Sequence, residues 1–348
     1  MAYKIWLDPD LLKNKSGIGR DSQLMVAWLK ENFDSEIIQW PKRLTGHPRI
    51  RRMLLLASRI VFKRLICLPK RYAGTFYQSQ LGPMLPGRGI ATWVVRLHDL
   101  FPATNPEWFR WWATVVFKDS LEAAVSRNAI FLCDSAATEL EVRRLYDGKQ
   151  LKTFVVPCRL PDAPGIKCGT CQACTHVQAT ETIKYFISVG TVEPRKNYPF
   201  ALSAWKEFSS RKDSRYKLII VGRPGWKTKA LQAEMSQSAV SQVIWFSDCC
   251  DGALEDLYKN AEALISFSLA EGFDLPPMEA RQRFQKPLIL SDIPVHREFH
   301  DGVAKFFKNR IELLEILDSP LVSTSISDYS DTAIKNLEQV TIFLKSIL

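Results

Sequence analysis

Two glutamates eight positions apart, Glu271 and Glu279, lie in the run EGFDLPPMEA, directly after the strand-like stretch Ala263–Ser266. The first falls at a strand's end and the second early in the helix that follows. Gly272 permits close backbone approach, and the free N–H groups of a helix start point back toward the strand end. Carboxylates accept from hydroxyls while backbone N–H groups face an anion, so the pattern suits a polyol carried on a diphosphate. It equally suits a loop whose glutamates cap the helix. Upstream, KYFISVG leads into Thr191, Glu193, Pro194, Arg195, Lys196 and Asn197. Two cations thus stand at a strand's carboxyl end, where a diphosphate needs positive charge and where a solvated basic turn is also common. LIIVG ends in Gly222, Arg223, Pro224, Gly225 and Trp226, a glycine and a cation on the same rim.

The elements that must position these residues are legible as alternation. Short apolar, β-branched runs predict strands at Lys4–Leu7, Glu36–Trp40, Thr75–Gln78, Thr92–Leu97, Ala129–Cys133 and Thr153–Val156. A second series follows at Tyr185–Val189, Lys217–Val221, Gln242–Phe246, Ala263–Ser266, Pro287–Leu290 and Ala304–Phe307. Helical patterns separate them at Asp21–Glu31, Trp108–Arg127, Ala136–Tyr146, Pro199–Ser210, Leu254–Asn260 and Met278–Phe284. Near-continuous apolar strands spaced by helices belong to buried parallel sheets. The expectation is α/β: a Rossmann-like domain over 1–160, a cysteine-rich linker over 161–182, and a second Rossmann-like domain over 183–332. A C-terminal helix near 333–348 is expected to pack back on the first domain.

The 348 residues carry a formal charge of +10, which fits anionic partners: nucleic acid, a membrane surface or phosphorylated substrates. No nucleic-acid recognition motif is present, so that class is set aside. The start MAYKIWLDPD lacks the pattern of a secretory signal, and no run reaches the ~18 uninterrupted apolar residues of a spanning helix. The expected location is cytoplasmic. RIRRMLLLASRIVFKRLICLPKR (49–71) and the aromatic group Trp108, Phe109, Trp111 and Trp112 suit the inner face of an anionic membrane, or an amphipathic helix packed on the sheet.

Eight cysteines without such a signal read as thiols. Cys158, Cys168, Cys171 and Cys174, with His176 beside them, form C-x9-C-x2-C-x2-C-x-H. These four thiolates can close around a structural zinc. An iron–sulfur cluster lacks its usual fourth spacing, and a redox-sensitive or merely cysteine-rich linker is the remaining reading.

The ordered runs ISVGTVEPRKN, LIIVGRPGW, EGFDLPPMEA and SDIPVHREFHDGVAKFF resemble the C-terminal half of the retaining glycosyltransferases of family four, the group 1 enzymes. That resemblance implies the GT-B fold, two Rossmann-like domains facing a central cleft. Lys196 and Arg195 would bind the donor diphosphate, Glu271 would orient the transferred sugar, and Glu279 would hold the ribose hydroxyls. Gly222, Arg223 and the stretch Gly272, Phe273, Asp274 and Leu275 complete the expected donor site. In the N-terminal half, Gly17 and Gly19 match the family's glycine-rich loop beside the phosphates, His98 the histidine near the sugar, and Ser135 the serine before a helix. Catalysis would then rest on Glu271, His98 and Lys196 and require no cofactor or metal.

Two positions depart from the pattern. Asp274 stands where the family usually has glycine, and Thr191 where many members have arginine. The implied reaction moves a hexose, best matched by mannose from GDP-mannose, with a UDP-linked donor the other choice. The implied acceptor is a lipid-linked saccharide or growing surface glycan, as in O-antigen and capsule mannosyltransferases. The alternative is a non-catalytic sugar-nucleotide-binding or scaffold protein on the same fold.

Overall fold

The computed structural model describes residues 5–7, 17–37, 66–67, 74–82, 84–87, 90–160, 165–175, 183–211, 216–236, 242–321 and 330–347. The chain divides into two compact units, Met1–Pro161 with Ser330–Leu348, and Asp162–Tyr329. Residues 165–175, expected within a linker, belong to the second unit. The basic segment 49–71 lies outside the described residues except for Ile66–Cys67, which pairs with Met84–Leu85 in a two-stranded parallel sheet.

The first unit contains β1 (Ile5–Leu7), α1 (Gly17–Asn32), β2 (Ser35–Ile37), β3 (Gly74–Gln78), β4 (Ile90–Leu97), α2 (Trp111–Ser126), β5 (Ile130–Cys133), α3 (Ala136–Leu145) and β6 (Lys152–Val155). Its six strands run in the order β2-β1-β3-β4-β5-β6, all parallel. Alternation of side chains sorts the sheet's two faces. Phe76, Trp93, Val95, Leu97, Phe131 and Cys133 meet Leu121, Ala124 and Val125 of α2 and Val142 of α3. Tyr77, Val94, Ile130 and Leu132 meet Met25, Val26, Trp28 and Leu29 of α1.

The second unit contains β7 (Lys184–Val189), α4 (Tyr198–Arg211), β8 (Tyr216–Val221), α5 (Lys229–Ser236), β9 (Val243–Phe246), α6 (Asp251–Asn260), β10 (Ala263–Ser266), α7 (Leu275–Phe284), β11 (Leu288–Ser291), α8 (Pro294–His300), β12 (Lys305–Phe307) and α9 (Arg310–Asp318). The strand order is β9-β8-β7-β10-β11-β12, again all parallel. This is the doubly wound order in which the chain reverses direction across the sheet between its first and fourth strands. Leu218 and Ile220 face α4, α5 and α9, whereas Ile219 and Val221 face α6 and α7. Both sheet faces are therefore covered, which is why these strands read as unbroken apolar runs.

Helix α7 starts at Leu275, three residues before the Met278 expected from periodicity. Pro276 and Pro277 look like loop residues, but proline fits a helix's first turn, where the N–H it lacks would have no intrahelical partner.

The last helix, α10 (Ser330–Ile347), belongs to the first unit. Leu337, Val340 and Leu344, on one face at helical spacing, enter the cluster with Ile5, Tyr77, Val94 and Leu132. The Asn336 amide donates to the Val155 carbonyl at 3.0 Å. Burial of this stripe is what holds the helix to the unit. Leu344→Ala is expected to destabilise the protein by about 2–5 kcal/mol, measured by urea unfolding, whereas Ile342→Ala, at an exposed position, should change stability by less than about 0.5 kcal/mol.

Candidate functional site

In the second unit the reversal point lies between β7 and β10, and the loops following these two strands carry the charged residues. β7 runs into Gly190, where a Cβ would stand 2.8 Å from the Lys196 Cε. At the end of β8, a Cβ on Gly222 would stand 1.9 Å from the Gly190 carbonyl oxygen. The two strand ends therefore touch backbone to backbone, and only glycine fits either position. From there the chain forms one 3-10 turn, Pro194–Lys196, ended by Asn197 at φ 54°. This turn points Lys196 inward, leaving it 7% exposed, and leaves Arg195 at the rim.

Carboxylates from the loop after β10 meet those cations. The Lys196 ammonium lies 2.7 Å from Glu271 Oε1 and 2.9 Å from Asp274 Oδ1. The Arg195 guanidinium pairs with Glu271 and, through Nε at 2.7 Å, with Glu193. Ser268 Oγ donates to Glu271 Oε1 at 2.7 Å, and Ser266 Oγ to Asp274 Oδ2 at 2.8 Å. His296 of α8 places Nε2 2.9 Å from Asp274 Oδ2, while its Nδ1 lies 2.8 Å from the Ser291 carbonyl. Glu279 is buried apart from this group and accepts from the Tyr258 hydroxyl at 3.2 Å.

Burial opposes the charge on Lys196, but Asp274 and then Glu271 outweigh it and raise its pKa. Burial likewise opposes ionisation of Asp274, while Lys196 and the His296 hydrogen bond hold the carboxyl well below its ordinary range. The arrangement keeps an ammonium and a guanidinium charged at the carboxyl end of a sheet, beside oxygen acceptors. It can hold an anion and the hydroxyls of an attached polyol.

Residues 176–309 match the family profile described as Glycosyl transferases group 1. Residues 176–309 of the second unit form a glycosyl transferases group 1 domain, in a chain of GT-B fold. The chain is 28% identical over 250 residues to the serotype-specific mannosyltransferase WbdA of Escherichia coli, an alignment covering 66% of this chain and 29% of that protein. It is 27% identical over 204 residues to the O-antigen chain mannosyltransferase RfbU of Salmonella typhimurium, covering 59% of this chain and 53% of that one. The chain thus spans less than a third of the first relative and about half of the second. Among solved structures, Anabaena Alr3699/HepE in complex with UDP and glucose superposes with a TM-score of 0.59 at 15% identity, over 99% of this chain and 100% of that one. An α,α-trehalose-phosphate synthase from Burkholderia xenovorans gives 0.57 at 12% identity, over 92% and 93%.

Within the group 1 domain, Arg195, Lys196, Glu271 and Asp274 form one network, Gly222 lies beneath its edge, and Arg223 is exposed. Phe273 is buried with its ring 4.8 Å from that of Phe299, while Gly272 is buried and Leu275 half-buried at the helix start. Sequence reasoning missed His296 and Glu193. His296 lies in SDIPVHREF, one of the quoted runs, yet a histidine one turn into a helix carries no signal of its carboxylate partner. The position of Asp274 also gains a physical reading: its φ is 65°, the left-handed region that glycine enters freely. An aspartate there accepts local strain and adds a buried carboxylate facing Lys196.

In the first unit α1 begins at Gly17, with Gly19 buried; Ser16 is outside the described residues. Ser135 caps α3, its Oγ accepting from the Thr138 N–H at 3.1 Å. His98 follows β4, with Nδ1 2.7 Å from Asp134 and Nε2 3.0 Å from the Ser79 carbonyl. Burial disfavours its charge, but the charge and hydrogen bond of Asp134 outweigh that and raise its pKa. The expected four-cysteine set needs correction. Cys158 is buried in this unit, 3.2 Å from Asp134 Oδ2 and 3.6 Å from the Arg96 guanidinium. Chain proximity suggested grouping it with Cys168, Cys171 and Cys174, but it follows β6 and packs against the first sheet. Cys250 of the second unit stands beside those three instead. His176 is outside the described residues.

Two measurements test these energetics. Asp274→Ala, which strips Lys196 and His296 of a buried partner, is expected to cost about 3–5 kcal/mol by chemical denaturation. Asp274→Gly should cost about 1 kcal/mol less, because glycine relieves the left-handed backbone. At the end of α8, neither ring nitrogen of buried His300 has a hydrogen-bond partner among the described residues. Burial, then His296 and Arg281, pushes its pKa down to about 3. The unfolded chain protonates this ring near pH 6.5, so its contribution is full above that value and is lost as pH falls toward 3. His300→Leu is expected to raise the melting temperature more at about pH 5 than at about pH 7.5.

Proposed function

We propose that the chain is a retaining hexosyltransferase whose donor is a nucleotide sugar, with mannose from GDP-mannose the first candidate. The observation that carries this reading is the Arg195–Lys196–Glu271–Asp274 network at the reversal point of a doubly wound sheet. In the proposed complex, Lys196 and Arg195 meet the diphosphate as negative charge builds on it, supplying the stabilisation a divalent ion gives in other transferases. Glu271, positioned by Ser268, orients the transferred sugar. Glu279, steadied by Tyr258, takes the ribose hydroxyls. Arg223 and the backbone of Gly222 and Gly272–Leu275 line the donor.

The bond between the sugar's anomeric carbon and the phosphate oxygen breaks on the face that the acceptor oxygen attacks. The acceptor oxygen bonds to the anomeric carbon on that same face, so configuration is retained, and the acceptor's proton passes to a departing phosphate oxygen. The proposed acceptor is a lipid-linked or growing surface glycan, a reading supported by the relatives named as O-antigen and serotype mannosyltransferases. Peripheral docking on the inner face of an anionic membrane fits the 67% exposure of Trp111 and the basic segment 49–71. No helix among the described residues is long and apolar enough to cross a membrane.

Incubation with a panel of GDP- and UDP-sugars tests the proposal. Wild-type protein is expected to transfer or slowly hydrolyse one donor, with kcat/KM about 10²–10³-fold lower in Lys196→Ala. Glu279→Ala should instead raise the donor KM about tenfold or more. Tight donor binding without turnover would favour the non-catalytic sugar-nucleotide-binding alternative, and turnover indifferent to Lys196 would remove the site assignment.

A further inference from the structure

Four cysteine sulfurs converge where the second unit begins. Cys168, Cys171 and Cys174 come from a C-x2-C-x2-C turn and Cys250 from the residue preceding α6, and all four sulfurs lie within 4.8 Å of one another. Backbone amides are aimed at these sulfurs. Cys171 N–H donates to Cys168 Sγ at 3.3 Å, and Cys174 N–H to Cys171 Sγ at 3.4 Å. Cys250 N–H also donates to Cys171 Sγ, and Cys168 N–H to Cys250 Sγ, both at 3.4 Å. N–H donors stabilise thiolate, and thiolates this close repel unless a cation lies among them.

The spacing discriminates among occupants. A tetrahedral ion with bonds of about 2.3 Å to sulfur separates its ligands by about 3.8 Å. A disulfide needs about 2.05 Å and joins only two of the four. A multi-iron cluster spreads its cysteines over separate irons around a larger body. We propose that Cys168, Cys171, Cys174 and Cys250 hold a single structural zinc ion as a closed four-thiolate site.

The ion's mechanical role follows from what it joins. The segment 165–175 lies against the start of α6 so closely that a Cβ on Gly252 would stand 2.5 Å from the Lys167 nitrogen. Gly165 N–H donates to Glu255 Oε1 at 2.7 Å, and Cys171 and Ala173 are buried in the core beside Leu257 and Tyr258. Zinc clips this segment to the helix that carries Tyr258, the hydrogen-bond partner of Glu279. Metal binding at the clip does not depend on the transfer reaction proposed above.

Metal content of the full chain, purified from zinc-supplemented medium without chelator, is the test. Wild type and Cys249→Ser should each hold about one zinc per chain, with Cys171→Ser and Cys250→Ser reduced about tenfold. Cys158→Ser should retain the metal, because that thiol lies in the other unit. Should the ligand variants not fold, wild-type protein expressed with cobalt decides. It is expected to show the intense ligand-field and charge-transfer bands of tetrahedral cobalt thiolate. Metal-free protein with four titratable thiols, a disulfide among the four by non-reducing mass spectrometry, or an iron-cluster spectrum would each overturn the proposal. Zinc retained in full by folded Cys250→Ser would do the same.

Discussion

A lysine ammonium at the end of a buried strand persists only if carboxylates meet it, because desolvation otherwise drives it to lose its proton. Lys196 is met twice, by Glu271 and Asp274, and those carboxylates come from the loop that follows the strand on the other side of the sheet's reversal point. The requirement constrains much of the second unit. β7 and β10 must be neighbours, Gly190 must leave room for the lysine stem, and Gly222 must let β8 close against it. His296 and Ser266 then take up the outer oxygen of Asp274. The result is a charge held in place before any ligand arrives, which spares the reorganisation that charge stabilisation otherwise costs.

The same constraint explains the unusual residue. Glycine is the easy occupant of a left-handed position preceding a helix, and the sequence puts aspartate there. Its backbone strain is offset by a salt bridge and two side-chain hydrogen bonds. In the proposed complex an incoming diphosphate would have to draw Lys196 from this partner, and Asp274 would then set how strongly the lysine answers an anion.

Much of the architecture was legible because parallel strands covered on both faces leave a one-dimensional trace. Each apolar run of the second unit, such as KYFISV or KLIIV, became a strand within a residue of its expected limits, whereas residues 38–40 of the expected Glu36–Trp40 strand lie outside the described residues. Among the elements missed were α5, α8 and α9, the one-turn helix Phe101–Thr104 and the short pair Ile66–Cys67 and Met84–Leu85, which are brief, and the start of α7, hidden by two prolines. At the site, residues standing at strand ends in recognisable spacing were readable: Arg195, Lys196, Glu271 and Glu279. Partners supplied across the sheet were not. His296 meets Asp274 from 22 residues away and Cys250 meets Cys174 from 76, and nothing in a single sequence announces either contact. Arg96 is the sharpest case. It occupies an apolar position in TWVVRL and is buried because Asp21 and Asp134 converge on it. The error over Cys158 has the same origin, since nearness along the chain was taken for nearness in space.

Calorimetric titration of the nucleoside diphosphate that the wild-type protein binds, GDP or UDP, set against its monophosphate, isolates the claim that Lys196 faces a diphosphate. The account predicts that Lys196→Met weakens diphosphate binding about tenfold or more while monophosphate binding changes little. Equal losses for both nucleotides, or an unchanged affinity for the diphosphate, would contradict it.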